Sequence, residues 1–429
     1  MKPGNSENTR GYRIGVVALL TAGTFINSMD RASLSVAAPF IIKEFHISTV
    51  AMGVALSAFF WTYVLGNFPS GYLADRYGAK TVLGWCAVFW SVFSAITGFA
   101  HNVTHILLAR LGVGLGESAA LPVTNKIVAG NFPSQERGTA IGVSLMGIRL
   151  GMAATPFLMA YLILHWGWRV AFYGTGVGSL LWCVVWYFWF QDRSELRGRE
   201  AGASPQRAKI PWAQVFTNRA ILGLLVVKFT QDFLQWLFLT WVPSYLVMER
   251  HFSIVKMGIY GSLPYATACV TQPFVGMCSD WLIRRGWSMN RARKTVQVVL
   301  QLLSATVIVV GFVDDPMIAV FFLTISIAAE SNAAGHVWVI ISEVIPPKMV
   351  GSVGGMINAF GSAAGILSPI VTGLVVKLTG SFRLALTLGG CSILVASVFT
   401  IWVVPRLTLL PLGKEGAQAQ APAVAGAKA

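Results

Sequence analysis

Apolar stretches of about 18 residues or more recur along this chain and constrain its folding more than any other feature. A run of that length with few charges reads as a helix able to cross the hydrocarbon core of a bilayer. They lie near 13–38, 49–74, 81–100, 103–130, 138–164 and 168–191, then near 219–247, 257–283, 293–313, 316–344, 350–379 and 382–405. Lipid offers the backbone no hydrogen bonds, so each run must satisfy its own amides as a helix. The expected fold class is therefore an all-α membrane protein with twelve transmembrane helices. Composition agrees: 55% of the residues are hydrophobic and only 11% charged, values that exclude an ordinary soluble enzyme.

The formal charge of +15 raises the question of nucleic acid, but the bases are sorted along the chain. With the N-terminus inside, the outer loops hold Lys43, Arg169, Arg250, Lys256, Lys377 and Arg383. The inner segments hold most of the rest, among them Arg76, Lys80, Arg137, Arg284, Arg285, Arg291, Arg293 and Lys294. This is the positive-inside pattern, which puts both termini in the cytoplasm and makes the lipid bilayer, not nucleic acid, the partner of the basic balance. The first run is too long for a signal-peptide core and contains Asp30-Arg31, so it reads as a retained helix. The five cysteines fall in apolar runs without metal-ligand spacing and read as small packing residues.

The chain divides near its middle. Residues 1–191 form an N-terminal six-helix bundle and 219–405 a C-terminal one, joined by the charged, Gly- and Pro-containing segment 192–218, a cytoplasmic linker. The tail, 406–429, is Ala-, Gly- and Gln-rich over most of its length and reads as disordered. A faint repeat accompanies the division. Gly71-Tyr72-Leu73-Ala74-Asp75-Arg76-Tyr77-Gly78-Ala79-Lys80 is echoed by Gly276-Met277-Cys278-Ser279-Asp280-Trp281-Leu282-Ile283-Arg284-Arg285-Gly286.

Four ionisable residues stand inside apolar runs of the first half: Asp30 and Arg31 in the first span, Arg110 and Glu117 in the fourth. A charge at bilayer depth costs a few kcal/mol or more, so such residues face a cavity, pair with one another and mark a solute or proton path. Arginine offers a planar fork suited to bidentate carboxylate binding. Arg110 and Glu117 lie two helical turns apart and so share a face. A carboxylate that pairs with arginine in the empty site and is protonated when substrate takes the arginine is a workable coupling device. The alternative is a permanent ion pair that steadies the bundle. A third base, Arg149, lies in the fifth span, where it either binds a second anionic group or pairs with Glu117 or a carbonyl. In the second half Lys228 and Asp232 read as a neutralised i,i+4 pair, Glu330 as a deep acid without an evident partner, and His336 as a hydrogen bonder lining a cavity.

Other motifs carry no chemistry. Gly78-Ala79-Lys80-Thr81 lacks the P-loop pattern and its strand, and Gly112-Val113-Gly114-Leu115-Gly116 has the wrong spacing for a dinucleotide fingerprint and reads as a close-packing helix face. Trp182, Trp186, Trp189, Trp236 and Trp241 suggest interface anchoring and packing.

The Gly71–Lys80 loop resembles the conserved inner loop of the major facilitator superfamily, with the Gly276–Gly286 loop as its degraded partner. The resemblance implies two pseudo-symmetric six-helix bundles with the solute site near the midplane. It also implies an inner-face latch built from Asp75, Arg76 and Arg137. Three further segments narrow it: Asn27-Ser28-Met29-Asp30-Arg31, Leu108-Ala109-Arg110 through Glu117, and Gly354-Gly355-Met356-Ile357-Asn358-Ala359-Phe360-Gly361. Together they resemble the anion:cation symporter family. That resemblance implies that Arg31 and Arg110 bind a carboxylate, that Asp30 and Glu117 carry the coupling proton, and that Tyr63, Trp338 and Asn358 line the pocket. Arg149 joins them as a candidate substrate ligand.

Two positions depart from the family pattern. Ser28 replaces a common tyrosine, an expected enlargement of the pocket, and Arg149 stands where sugar-acid carriers offer polar groups. The expected function is proton-coupled import of a small organic anion by alternating access, by a monomer without cofactor or enzymatic activity. The alternatives are a proton-driven exporter of lipophilic compounds and a non-transporting solute sensor. Sugar acids, tartrate-like diacids and aromatic carboxylates all satisfy the bases.

Overall fold

A computed structural model describes residues 4–191, 210–346 and 349–403. The expected linker up to 209 and the tail at 406–429 fall outside these residues. Regular secondary structure among the described residues is helical throughout: α1 (Gly4–Phe45), α2 (Thr49–Tyr77), α3 (Ala79–Thr97), α4 (Val103–Glu117), α5 (Ala120–Asn131), α6 (Ser134–Trp189), α7 (Trp212–Thr217), α8 (Arg219–Met248), α9 (Ile254–Arg284), α10 (Met289–Ser304), α11 (Val307–Val310), α12 (Pro316–Val344), α13 (Val350–Thr379) and α14 (Arg383–Val398). A π-helical turn, Phe399–Val403, follows α14. Among the described residues nine stretches are long and apolar enough to cross a membrane. One of them, Glu136–Trp189, is 54 residues long and bends at Gly167, whose φ of 79° only glycine adopts at little cost.

The described residues pack into two compact units. The first holds 4–191 with 238–269 and 366–382, and the second holds 210–237, 270–346, 349–365 and 383–403. In the first unit α1 runs along α6, and α4 lies against α2 and α3. Glycines permit the approach. A Cβ at Gly114 would stand 2.1 Å from the Phe59 carbonyl oxygen, and one at Gly147 would stand 2.1 Å from that of Thr21. Within lipid such close packing replaces the hydrophobic drive that water supplies elsewhere. The glycine run of α4 is thus the packing face its spacing suggested.

One junction occurs twice in the first unit. Glu44-Phe45-His46-Ile47-Ser48 ends α1 and Glu249-Arg250-His251-Phe252-Ser253 follows α8. His46 and His251 both turn through positive φ, 51° and 54°. Ser48 and Ser253 each accept, at 3.3 Å, a backbone N–H of the helix that follows. Glu44 accepts from the Trp168 indole and the Arg169 guanidinium, both at 2.6 Å, just past Gly167. Glu249 accepts from the Ser381 hydroxyl and the Phe382 amide, just past Gly380, whose φ is 70°.

The second unit has an apolar cluster that includes Val215, Ile221, Ile341, Val353 and Ile357, and a smaller one around Val296, Leu300, Ala329 and Ala333. A polar chain also runs through its interior. Gln297 donates to Gln231 Oε1 at 3.3 Å and its Oε1 lies 3.0 Å from His336 Nδ1. Of the five tryptophans singled out in the sequence, Trp182, Trp186, Trp236 and Trp241 are buried, and the indoles of Trp182 and Trp186 donate to the carbonyls of Leu19 and Lys80. Among these five, interface anchoring fits only Trp189, which is 42% exposed.

Candidate functional site

Glu117 is the last residue of α4 and is fully buried. Its Oε2 accepts from Arg31 Nη2 at 2.9 Å and from Arg31 Nε at 3.3 Å, while Asn27 Oδ1 accepts from the same Nη2 at 3.4 Å. Its other oxygen, Oε1, has no hydrogen-bond partner among the described residues. The Arg31 guanidinium lies 4.8 Å from the centroid of Phe59 and 5.0 Å from that of Tyr63, rings that offer it a cation–π face.

Arg110 and Asp30 are also brought to this place, but with other partners than the sequence suggests. Arg110 Nη1 donates to the main-chain carbonyl of Asp30 at 3.2 Å and Nη2 to that of Arg31 at 3.1 Å. The Asp30 carboxylate turns to the far side of α1. There Ser94 Oγ donates to its Oδ1 at 2.9 Å and Ser179 Oγ lies 3.0 Å from its Oδ2. Serines in apolar runs carry no signal of such a role, so Ser94 and Ser179 were not legible in advance.

A recess reaches Arg31 of the pair and is lined by Arg31, Ser35, Leu56, Phe59, Phe60, Arg110, Leu239 and Thr240. Ser28 does not line it. A Cβ at Gly151 would stand 2.9 Å from that of Ser28, so the small residue admits α6 and does not enlarge the pocket, correcting the expectation. Arg149, on the same helix, is half-buried.

The remaining candidates lie elsewhere. Trp338 packs near Gly354 in the second unit, and the half-buried Asn358 of α13 accepts from Ser362 through its carbonyl at 2.9 Å. Lys228 and Asp232 form a buried pair at 2.5 Å, as their spacing suggested. The space they occupy is open because position 361 is glycine, where a Cβ would stand 2.3 Å from Asp232 Oδ2. The expected latch is differently composed in this structure. Asp75 pairs with Lys126 at 3.0 Å, Arg137 Nε donates to the Phe132 carbonyl at 3.0 Å, and Arg76 stacks on Tyr77. Lys126, inside an apolar run, was the signal passed over.

The model of the Major Facilitator Superfamily matches residues 20–369. The chain belongs to that superfamily. As a member it is a multi-pass membrane transporter and not an enzyme. It is 32% identical to "Probable galactarate/D-glucarate transporter GarP" of Escherichia coli strain K12, over 95% of this chain and 97% of the relative. It is 31% identical to the hexuronate transporter of Bacillus subtilis strain 168, over 94% and 97%. It is also 31% identical to "Probable sulfoacetate transporter SauU" of Cupriavidus necator, over 94% and 95%. The fold of this superfamily member is shared with the crystal structure of a D-xylose-proton symporter at a TM-score of 0.77 and 16% identity, over 92% of this chain and 99% of that one.

Proposed function

We propose that this protein imports a small organic anion together with protons by alternating access, as a monomer of twelve spans with both termini in the cytoplasm. The reading rests above all on the Arg31–Glu117 pair beside a recess, in a chain whose relatives are named for organic anions. An incoming carboxylate competes with Glu117 for the Arg31 fork. A displaced, buried Glu117 is too costly to hold as an anion and takes a proton. Substrate and proton thus arrive together.

Arg110 acts by position. Its two carbonyl contacts fix the turn of α1 from which Arg31 projects. Asp30 is the second proton-coupling group. Ser179 Oγ faces both Asp30 Oδ2 and, at 2.9 Å, the Thr175 carbonyl, and one hydroxyl proton serves only one of them. An ionised Asp30 accepts a hydrogen bond from that hydroxyl; a protonated Asp30 donates its own hydrogen bond to Ser179 Oγ, whose hydroxyl then turns to the Thr175 carbonyl. Tyr63 lines the pocket beside Arg31 in this reading, Arg149 receives a second anionic group, and Asp75 with Lys126, Arg76 and Arg137 controls the inner face.

Uptake into proteoliposomes under imposed pH and voltage gradients tests the proposal. Accumulation of an organic anion driven by an inward proton gradient is expected. Export of lipophilic compounds, or binding without any flux, would point instead to an exporter or a sensor.

A further inference from the structure

A second recess adjoins the first through the shared residues Ser35 and Leu239. It lies wholly within the first compact unit, where α1, α6, α8 and α9 contribute Val36, Met152, Pro156, Phe238, Val242 and Tyr265 to its walls. All of these side chains except Pro156 are at least nine-tenths buried. The surface they present is hydrocarbon and aromatic ring. Ser35 Oγ is already engaged, donating to the Ala32 carbonyl at 2.8 Å.

The neighbouring recess has Arg31 and Arg110 in its lining together with Leu56, Phe59, Phe60 and Leu239, and Ser35 and Thr240 are its uncharged polar residues. The surface that meets the atoms beyond a carboxylate held by Arg31 is therefore mainly apolar. A polyhydroxylated body placed there would leave water for walls that cannot replace its hydrogen bonds. An apolar body gains by the same transfer.

We propose that the substrate is an aromatic or alicyclic carboxylate without hydroxyl groups, its carboxylate on Arg31 and its ring against the apolar side chains that line the two adjoining recesses, from Phe60 to Met152. This rests on the reading of the protein as an organic-anion carrier and sets it apart from relatives named for hexarates and hexuronates. Specificity here comes from the walls and not from the base, since every candidate presents the same carboxylate to Arg31.

Binding to the purified full-length protein, measured by calorimetry with two matched pairs of acids, tests the proposal. Benzoate is compared with 3,4,5-trihydroxybenzoate, and cyclohexanecarboxylate with quinate (1,3,4,5-tetrahydroxycyclohexanecarboxylate), so ring and charge are held while hydroxyls are added. The hydroxyl-free acid of each pair is expected to bind about tenfold or more tightly, as partnerless buried hydroxyls imply. Leu239→Asn and Met152→Asn should each narrow that gap. Tighter binding of the hydroxylated member in both pairs, abolished by Arg31→Gln, would overturn the apolar recess and leave the carrier reading intact. If none of the four acids binds, or if binding is indifferent to Arg31→Gln, the proposal is overturned, and proton-driven uptake of a different organic anion would show that the carrier reading stands without it.

Discussion

Arg110 donates to the main-chain carbonyl of Arg31 at 3.1 Å, so one buried arginine fixes another without sharing its carboxylate. The two guanidinium groups therefore have separable roles. Arg31→Lys keeps a charge but loses the fork that meets Glu117 through both Nε and Nη2. Anion affinity should fall by about 1.5–3 kcal/mol, roughly one to two decades, since that is the worth of a contact to a charged group. Arg110→Lys keeps at most one carbonyl contact, and its larger effect should be on thermal unfolding. Calorimetric binding and unfolding measured on both variants check this; equal losses in both readouts would merge the roles.

Glu117→Gln holds position 117 in its neutral form. The variant should exchange labelled substrate across the membrane while failing to concentrate it under a proton gradient. Counterflow and gradient-driven uptake in the same proteoliposomes separate the two activities. Concentrative uptake by the variant would remove Glu117 from proton coupling.

Arg149→Gln should discriminate between one anionic group and two. If the base meets a second carboxylate, phthalate should lose about 1.5–3 kcal/mol of affinity and benzoate little. Titration of the two acids against wild type and variant is the measurement, and equal losses would assign Arg149 a structural role within α6.

Glu44 predicts a pH dependence. The Trp168 indole N–H bond, and then the Arg169 guanidinium, hold its carboxyl below the ordinary glutamate value. A depressed folded value means that its stabilisation is fully present above the unfolded glutamate pKa and is lost as pH falls through the folded one. Wild type should therefore unfold at a higher temperature than Glu44→Gln at neutral pH, with the difference closing under acid. A difference that grows on acidification would reverse the sign. The carboxylate is partly exposed, so salt should also reduce the effect.

Gly114→Ala tests the packing that places Glu117. The new methyl would meet backbone, not a yielding side chain, and overpacking of this kind costs about 1–3 kcal/mol. A lower unfolding temperature is expected, with weaker anion binding because α4 must draw away from α2. Unchanged unfolding would show that the helices yield freely at this point.

Much of the architecture was legible because length and hydropathy are local properties. A bilayer imposes helix on any sufficiently long apolar run, and the cost of burying charge singled out Asp30, Arg31, Arg110 and Glu117 before any contact was known. The lysine–aspartate pair on α8 and the glycine face of α4 followed from helical spacing alone. The repeated Glu-x-His-x-Ser junction was equally readable and was overlooked, since it lies in short loops where hydropathy is silent.

The pairing of the buried charges was decided by tertiary structure. Nothing in the order of residues says that Arg110 would take the carbonyls of α1, that Asp30 would turn to Ser94 and Ser179, or that Glu117 would be left to Arg31. Those choices depend on how far each helix is rotated about its axis and how closely it approaches its neighbour. Contacts such as Gly114 on Phe59 and Gly147 on Thr21 set both. A few tens of degrees of rotation exchange a carboxylate partner for a hydroxyl, and hydrophobic periodicity in an all-apolar helix is too weak to specify that angle. The chain by itself determined that charges would lie within the membrane; the packing of its glycines determined which of them face the recess.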